Sequence, residues 1–156
     1  MEIKITLFIT FFLYAIVISQ SFFYILGMSN ATRNMQVNAY IQTRQLLDKN
    51  LRPSLTAVYY ATLLASIALT AFCVTNPSGL LFICSVVALV ALIADLGLTL
   101  KGNIPLNKII NSWTEKDYPA DWNTYRSRWL SVYSMRQISN LIGFIALLTG
   151  MVFGIN

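Results

Sequence analysis

Four stretches of the chain are almost wholly apolar: residues 5–26, 54–75, 80–100 and 137–155. A helix needs roughly 20 such residues to cross the hydrocarbon layer of a bilayer, so each run predicts a membrane span. The first is too long for the core of a cleaved signal, and its flank carries only Glu2 and Lys4, which predicts a retained helix. Asn76-Pro77-Ser78-Gly79 separates the second and third runs. That tight turn predicts an antiparallel hairpin. The expected fold is all-α: one domain over 1–156, an integral membrane antiparallel four-helix bundle. Two amphipathic connections, about 27–53 and 101–136, form a helical cap.

Weaker patterning runs through both connections. Val37, Tyr40, Ile41, Leu47 and Leu51 make a helical stripe, which predicts a short interfacial helix. Arg52-Pro53 should end it, with Pro53 opening the second span. After the third span, Gly102 suits a helix C′ position, Asn103 an N-cap and Pro105 a first turn. Leu106, Ile109, Ile110 and Trp113 then share one face. Asp117-Tyr118-Pro119 suggests a further cap and helix start, with one helix from about Pro119 into the fourth span. Trp122, Tyr125, Trp129, Val132, Tyr133 and Arg136 recur at helical spacing into the fourth span. All three tryptophans lie in this connection. They form either an aromatic belt at the membrane surface or an aromatic wall over a site.

Charge sets the expected orientation. Only 11% of residues are charged, against about 25% in soluble domains, which argues against a water-soluble globule. Ten of the 11 Lys and Arg lie in the long connections, leaving Lys4 on the other side. The positive-inside rule puts both connections in the cytoplasm and both termini outside, as in a bacterial inner membrane. The basic excess therefore reads as orientation, with no nucleic-acid module. Histidine is absent, which excludes His-ligated metal sites and Ser-His-Asp nucleophile systems. No cofactor is expected. Cys73 and Cys84 read as small buried hydrophobes, with a disulfide as the other reading.

Polar groups at membrane depth are costly and face the bundle interior. Asp95 is the one acid inside a predicted span, with Thr99 and Gly102 on the same face. It is either a proton acceptor or half of an ion pair with Arg136 or Lys101. Arg136 is either a surface anchor or a fixed cation for an anionic group. Tyr59, Thr62, Ser66, Thr70 and Cys73 form a packing stripe or a cavity wall. Asn140, Gly143, Ala146, Gly150 and Gly154 suggest helix packing or self-association, and Gln20 is a weaker cavity candidate.

Gly102-Asn103-Ile104-Pro105-Leu106-Asn107, then Asp121-Trp122, Arg128-Trp129 and Arg136, resemble the anthrone-oxygenase-like family of small four-helix membrane proteins. The matching positions are Asn103, Pro105, Asn107, Trp129 and Arg136. The resemblance implies cofactor-independent oxidation of a lipophilic phenolic or quinol-like molecule by O2. Relatives often carry a histidine in the segment where this chain offers Tyr133. On that reading Asp95 or Tyr133 accepts a proton, and Arg136, Asn103 and Asn107 stabilise the oxyanion. Trp122 and Trp129 stack on the rings, and Asn140 adds a substrate contact. The alternative is a non-catalytic lipid-binding protein, a homo-oligomer or a subunit of a larger membrane complex.

Overall fold

The computed structural model describes residues 2–155, and helices are the only regular elements among them. Helix α1 (Glu2–Phe23) passes through a π-helical turn (Tyr24–Met28) into α2 (Ser29–Asn34). Helix α3 spans Val37–Cys73. Helix α4 (Leu80–Leu98) continues through a second π-helical turn (Thr99–Asn103) into α5 (Ile104–Asn111), and α6 spans Trp122–Phe153. Four continuous helical stretches are long and apolar enough to cross a membrane: Glu2–Asn34, Val37–Cys73, Leu80–Asn111 and Trp122–Phe153.

The four long helices close a ring, with α1 against α3 and α6, and α4 against α3 and α6. Along the α4–α6 contact, Leu81 meets Gly154, Cys84 meets Gly150, Ala91 meets Gly143 and Gly102 meets Val132. A Cβ on Gly150 would come within 2.8 Å of Cys84 Cβ, and one on Gly154 within 2.8 Å of Leu81 N. The GxxxG pair thus serves close helix packing inside the chain. Cys73 and Cys84 are both buried and free.

Polarity is distributed with large apolar side chains outside. Phe8, Leu26, Leu64 and Phe153 are each at least 68% exposed. Thr10, Ser21, Thr62, Ser66, Ser85, Asp95 and Asn140 are buried. Their hydroxyls partly satisfy themselves within their own helices, as Thr62 does by donating to the Val58 carbonyl.

Two expected breaks are absent, and one helix starts later than expected. Helix α3 runs unbroken through Pro53. Residues 49–54 are exposed, so the carbonyl that proline leaves without a donor can be hydrated. Tyr40 and Ile41 on one side and Tyr59 on the other anchor the two halves in different cores. The inward face of the first half drifts to Arg44 and Asp48, while Leu51 is exposed. Gly102 does not terminate a helix, because the backbone stays helical through it and no glycine among the described residues takes a positive φ. It admits α6 instead, since a Cβ there would meet Val132 Cγ1. Helix α6 begins at Trp122, after Asp121, rather than at Pro119.

Gly143 is the tightest crossing. A Cβ there would overlap the Tyr14 hydroxyl, which donates to the Ala88 carbonyl at 3.4 Å. Gly143→Ala is expected to cost about 1–3 kcal/mol through overpacking. Adding Tyr14→Phe should return most of it, as read by thermal unfolding in detergent. A Gly143→Ala protein as stable as wild type would show that the helices are not this close.

Candidate functional site

The two π-helical turns mark the junction between the bundle and the cap. One extra residue per turn rotates the following face, and the turns hold Tyr24 and Asn103 at 4% and 2% exposure. Asp95 lies on α4 just before the second turn and is fully buried. Arg136 on α6 donates from Nε to Asp95 Oδ1 at 2.5 Å. It also donates from Nη1 to Asn103 Oδ1 at 3.3 Å and from Nη2 to the Tyr59 hydroxyl at 3.2 Å. Gln20 on α1 donates to the Tyr59 hydroxyl at 3.1 Å and accepts from the Tyr133 hydroxyl at 3.2 Å. All four long stretches therefore contribute to one polar network around a buried ion pair.

The pair is anchored but incompletely used. Asp95 Oδ2 has no hydrogen-bond partner, and neither do the two polar side-chain atoms of Asn140 or of Gln137. Asn140 and Gln137 are 0% and 1% exposed. Asp95 and Asn140 both lie beside the Tyr59 hydroxyl. Buried polar groups are ordinarily satisfied; Ser21, Ser66, Tyr40 and Arg44 also keep an open polar atom elsewhere, but Asp95 is the one carboxylate among these groups.

A second network forms the cap. Asn107 Oδ1 accepts from Trp129 Nε1 at 2.8 Å and from Arg44 Nη2 at 3.0 Å. Asn107 Nδ2 and Asn111 Nδ2 donate to the two oxygens of Asp48 at 3.0 and 2.8 Å. Asn103 Nδ2 donates to the Trp129 carbonyl at 3.2 Å. Arg44 lies over the Trp129 ring at 3.9 Å, Trp129 stacks on Tyr133 at 4.6 Å, and Arg136 lies 5.2 Å from the Tyr133 ring. This series of cation–π and stacked contacts joins the cap to the ion pair. In the cap, burial pushes the Tyr40 hydroxyl up to about 12, against the lowering pull of Arg44 and Arg126. Burial lowers the Arg44 guanidinium from its ordinary value.

Of the predicted site residues, Asp95, Tyr133, Arg136, Asn103, Asn107 and Trp129 share these two linked networks. Asn140 lies near the Tyr59 hydroxyl. Trp122 stands apart, against Tyr40 at 6.1 Å and Arg126 at 4.5 Å. The tryptophans do not form an outward belt, for Trp113 and Trp129 are 7% and 5% exposed within the cap core. Gln20 proves to be a full member of the network. Sequence reasoning missed Arg44 and Asp48 as site residues and read Tyr59 only as part of a stripe. The one usable signal was the Tyr59–Thr62–Ser66 register, which faces inward.

No family model, curated protein or solved structure matches the chain.

Proposed function

We propose that the chain is a multi-pass membrane protein that binds the hydroxyl end of a lipophilic phenol- or quinol-like molecule at the Asp95–Arg136 centre. The apolar exterior and polar interior support insertion in a bilayer. The reversed order of contacts between α4 and α6 supports an antiparallel bundle. The concentration of Arg and Lys in the cap residues supports a cytoplasmic cap.

The observation that carries the binding reading is the free oxygen of Asp95. Its Oδ1 is fixed by Arg136, while Oδ2 is buried and open, and the Asn140 amide, also open, lies near the same Tyr59 hydroxyl as the carboxylate. That combination suits a ligand O–H, which would donate to the carboxylate and accept from the amide. Neither of two clefts on the protein reaches the centre. One is bounded by Gln42, Gln45, Leu46 and Lys49, and the other by Arg33, Asn123, Arg126, Ser127, Leu130 and Ser131. Asp95 and Asn140 are fully buried, so access requires displacement of the side chains around them. Oxygenation, the activity implied by the resemblance, would use the same centre: Asp95 removes the proton, Arg136 stabilises the resulting electron-rich anion, and the anion reduces O2 by forming a C–O bond to it; reprotonation gives a hydroperoxide, whose O–O bond breaks with loss of water to leave the carbonyl product. The direct Asp95–Arg136 contact also favours a second reading, in which the pair only fixes helix register.

Native mass spectrometry of protein purified in mild detergent tests the proposal. Wild type is expected to retain one aromatic molecule. Asp95→Leu/Arg136→Met removes both charges together, and is expected to fold without it. Phospholipid alone in wild type, or an aromatic molecule kept by the double variant, would overturn the binding reading.

A further inference from the structure

The cleft beside α2 presents a different chemistry from the buried centre. It has a volume of about 340 Å³ and is lined by Arg33, Asn123, Arg126, Ser127, Leu130 and Ser131. Two cations and two hydroxyls face it, and no carboxylate lines it. The two ion pairs among the described residues are Arg52–Asp48 and Arg136–Asp95, so neither cleft arginine has a carboxylate partner.

Arg126 is nevertheless held in place. Its Nη1 donates to the Met35 carbonyl at 2.8 Å and to the Thr32 carbonyl at 3.4 Å. Its Nε and Nη2 donate to Asn123 Oδ1 at 3.1 and 2.8 Å. The Trp122 ring lies 4.5 Å from its Cζ. Every one of these partners is neutral, so the guanidinium is oriented without being neutralised. A half-buried, immobilised cation with a second arginine and serine hydroxyls around it is preorganised for a phosphate oxyanion.

The surroundings indicate the rest of the ligand. Phe23 and Leu26, just before α2, are 68% and 84% exposed. Met135 and Ile138, one to two turns beyond Ser131 on α6, are 52% and 59% exposed. The cleft is therefore polar and cationic, and the two continuous helical stretches that frame it, Glu2–Asn34 and Trp122–Phe153, carry exposed apolar side chains beyond it.

We propose that this cleft binds the phosphate group of an anionic phospholipid, with its acyl chains along the apolar flanks. The site is independent of Asp95 and of any ligand there. The test is native mass spectrometry of the full-length protein titrated with phosphatidylglycerol, phosphatidylcholine and inorganic phosphate. One phosphatidylglycerol should bind in preference to phosphatidylcholine. Arg33→Gln should weaken it about fivefold, and Arg33→Gln/Arg126→Gln about 30-fold, from the attraction of each cation. Arg126 also braces Thr32 and Met35, so Arg33→Gln, which removes no intrachain hydrogen bond among the described residues, keeps the test valid if the double variant misfolds. Equal affinity for the two lipids, or no effect of Arg33→Gln, overturns the proposal. Inorganic phosphate bound with the same Arg33 dependence, and without lipid preference, would overturn the lipid assignment and give the site to a soluble phosphate ester.

Discussion

Arg136→Ala is expected to destabilise the protein by about 3–5 kcal/mol, because it strands the Asp95 carboxylate in the interior without a counterion. The loss also removes the donors to Asn103 Oδ1 and the Tyr59 hydroxyl. The measurement is denaturant unfolding in mixed micelles, followed by circular dichroism. The informative comparison is Asp95→Leu/Arg136→Met. Replacing a buried ion pair by apolar groups of similar volume is often neutral or stabilising by about 1–4 kcal/mol, so the double variant should lie far above the single one. A loss below about 1 kcal/mol in Arg136→Ala would match a solvated pair and would contradict the burial of Asp95. The comparison also bears on function. A stable double variant would mean that the pair is not needed for folding, which leaves ligand handling as the better account of why charge is kept at this depth.

The positions of the spans were legible because length and apolarity belong to each segment alone. Their extents were not. Helices α3 and α6 continue beyond the apolar runs into the cap, and their polar turns are stabilised by contacts that no local window contains. Pro53 and Gly102 were misread for the same reason. Their local preferences favour helix ends, but packing on both sides of Pro53 and the approach of Val132 to Gly102 decide otherwise. Asp95 and Arg136 could be named from polarity at depth, and Asn103, Asn107 and Trp129 from the Asn103-Ile104-Pro105-Leu106-Asn107 and Arg128-Trp129 segments. Their partners could not. Tyr59 is 77 residues from Arg136, and Arg44 is 63 from Asn107. The two π-helical turns left no recognisable mark in the sequence, yet they fix how Tyr24 and Asn103 face inward.

Trp129→Ala is expected to rival the loss of Arg136, at about 3–5 kcal/mol for truncating a buried tryptophan. Three distinct interactions end with it: stacking on Tyr133, the guanidinium of Arg44 over the ring, and the Nε1–H bond to Asn107. Arg44 would then lie above a void, and Asn107 would lose one donor while keeping Asp48. Trp129→Phe separates these effects. It keeps an aromatic face for Arg44 and Tyr133 but removes the indole N–H, so it should cost about 1–2 kcal/mol, the range for one hydrogen bond and some lost packing. Unfolding in detergent gives both values. Hydrogen exchange locates them, with protection expected to fall first in α5 and in residues 37–48 of α3, where the Asn107–Arg44–Asp48 contacts lie. A Trp129→Ala protein whose exchange changes only at its own helix would show that the cap does not depend on this ring. If protection also falls around Asn103 and Arg136, the stacked series transmits cap disorder to the ion pair. The state of the cap would then control access to Asp95, because Trp129 stacks on Tyr133 and Tyr133 lies against Arg136, the partner of the carboxylate.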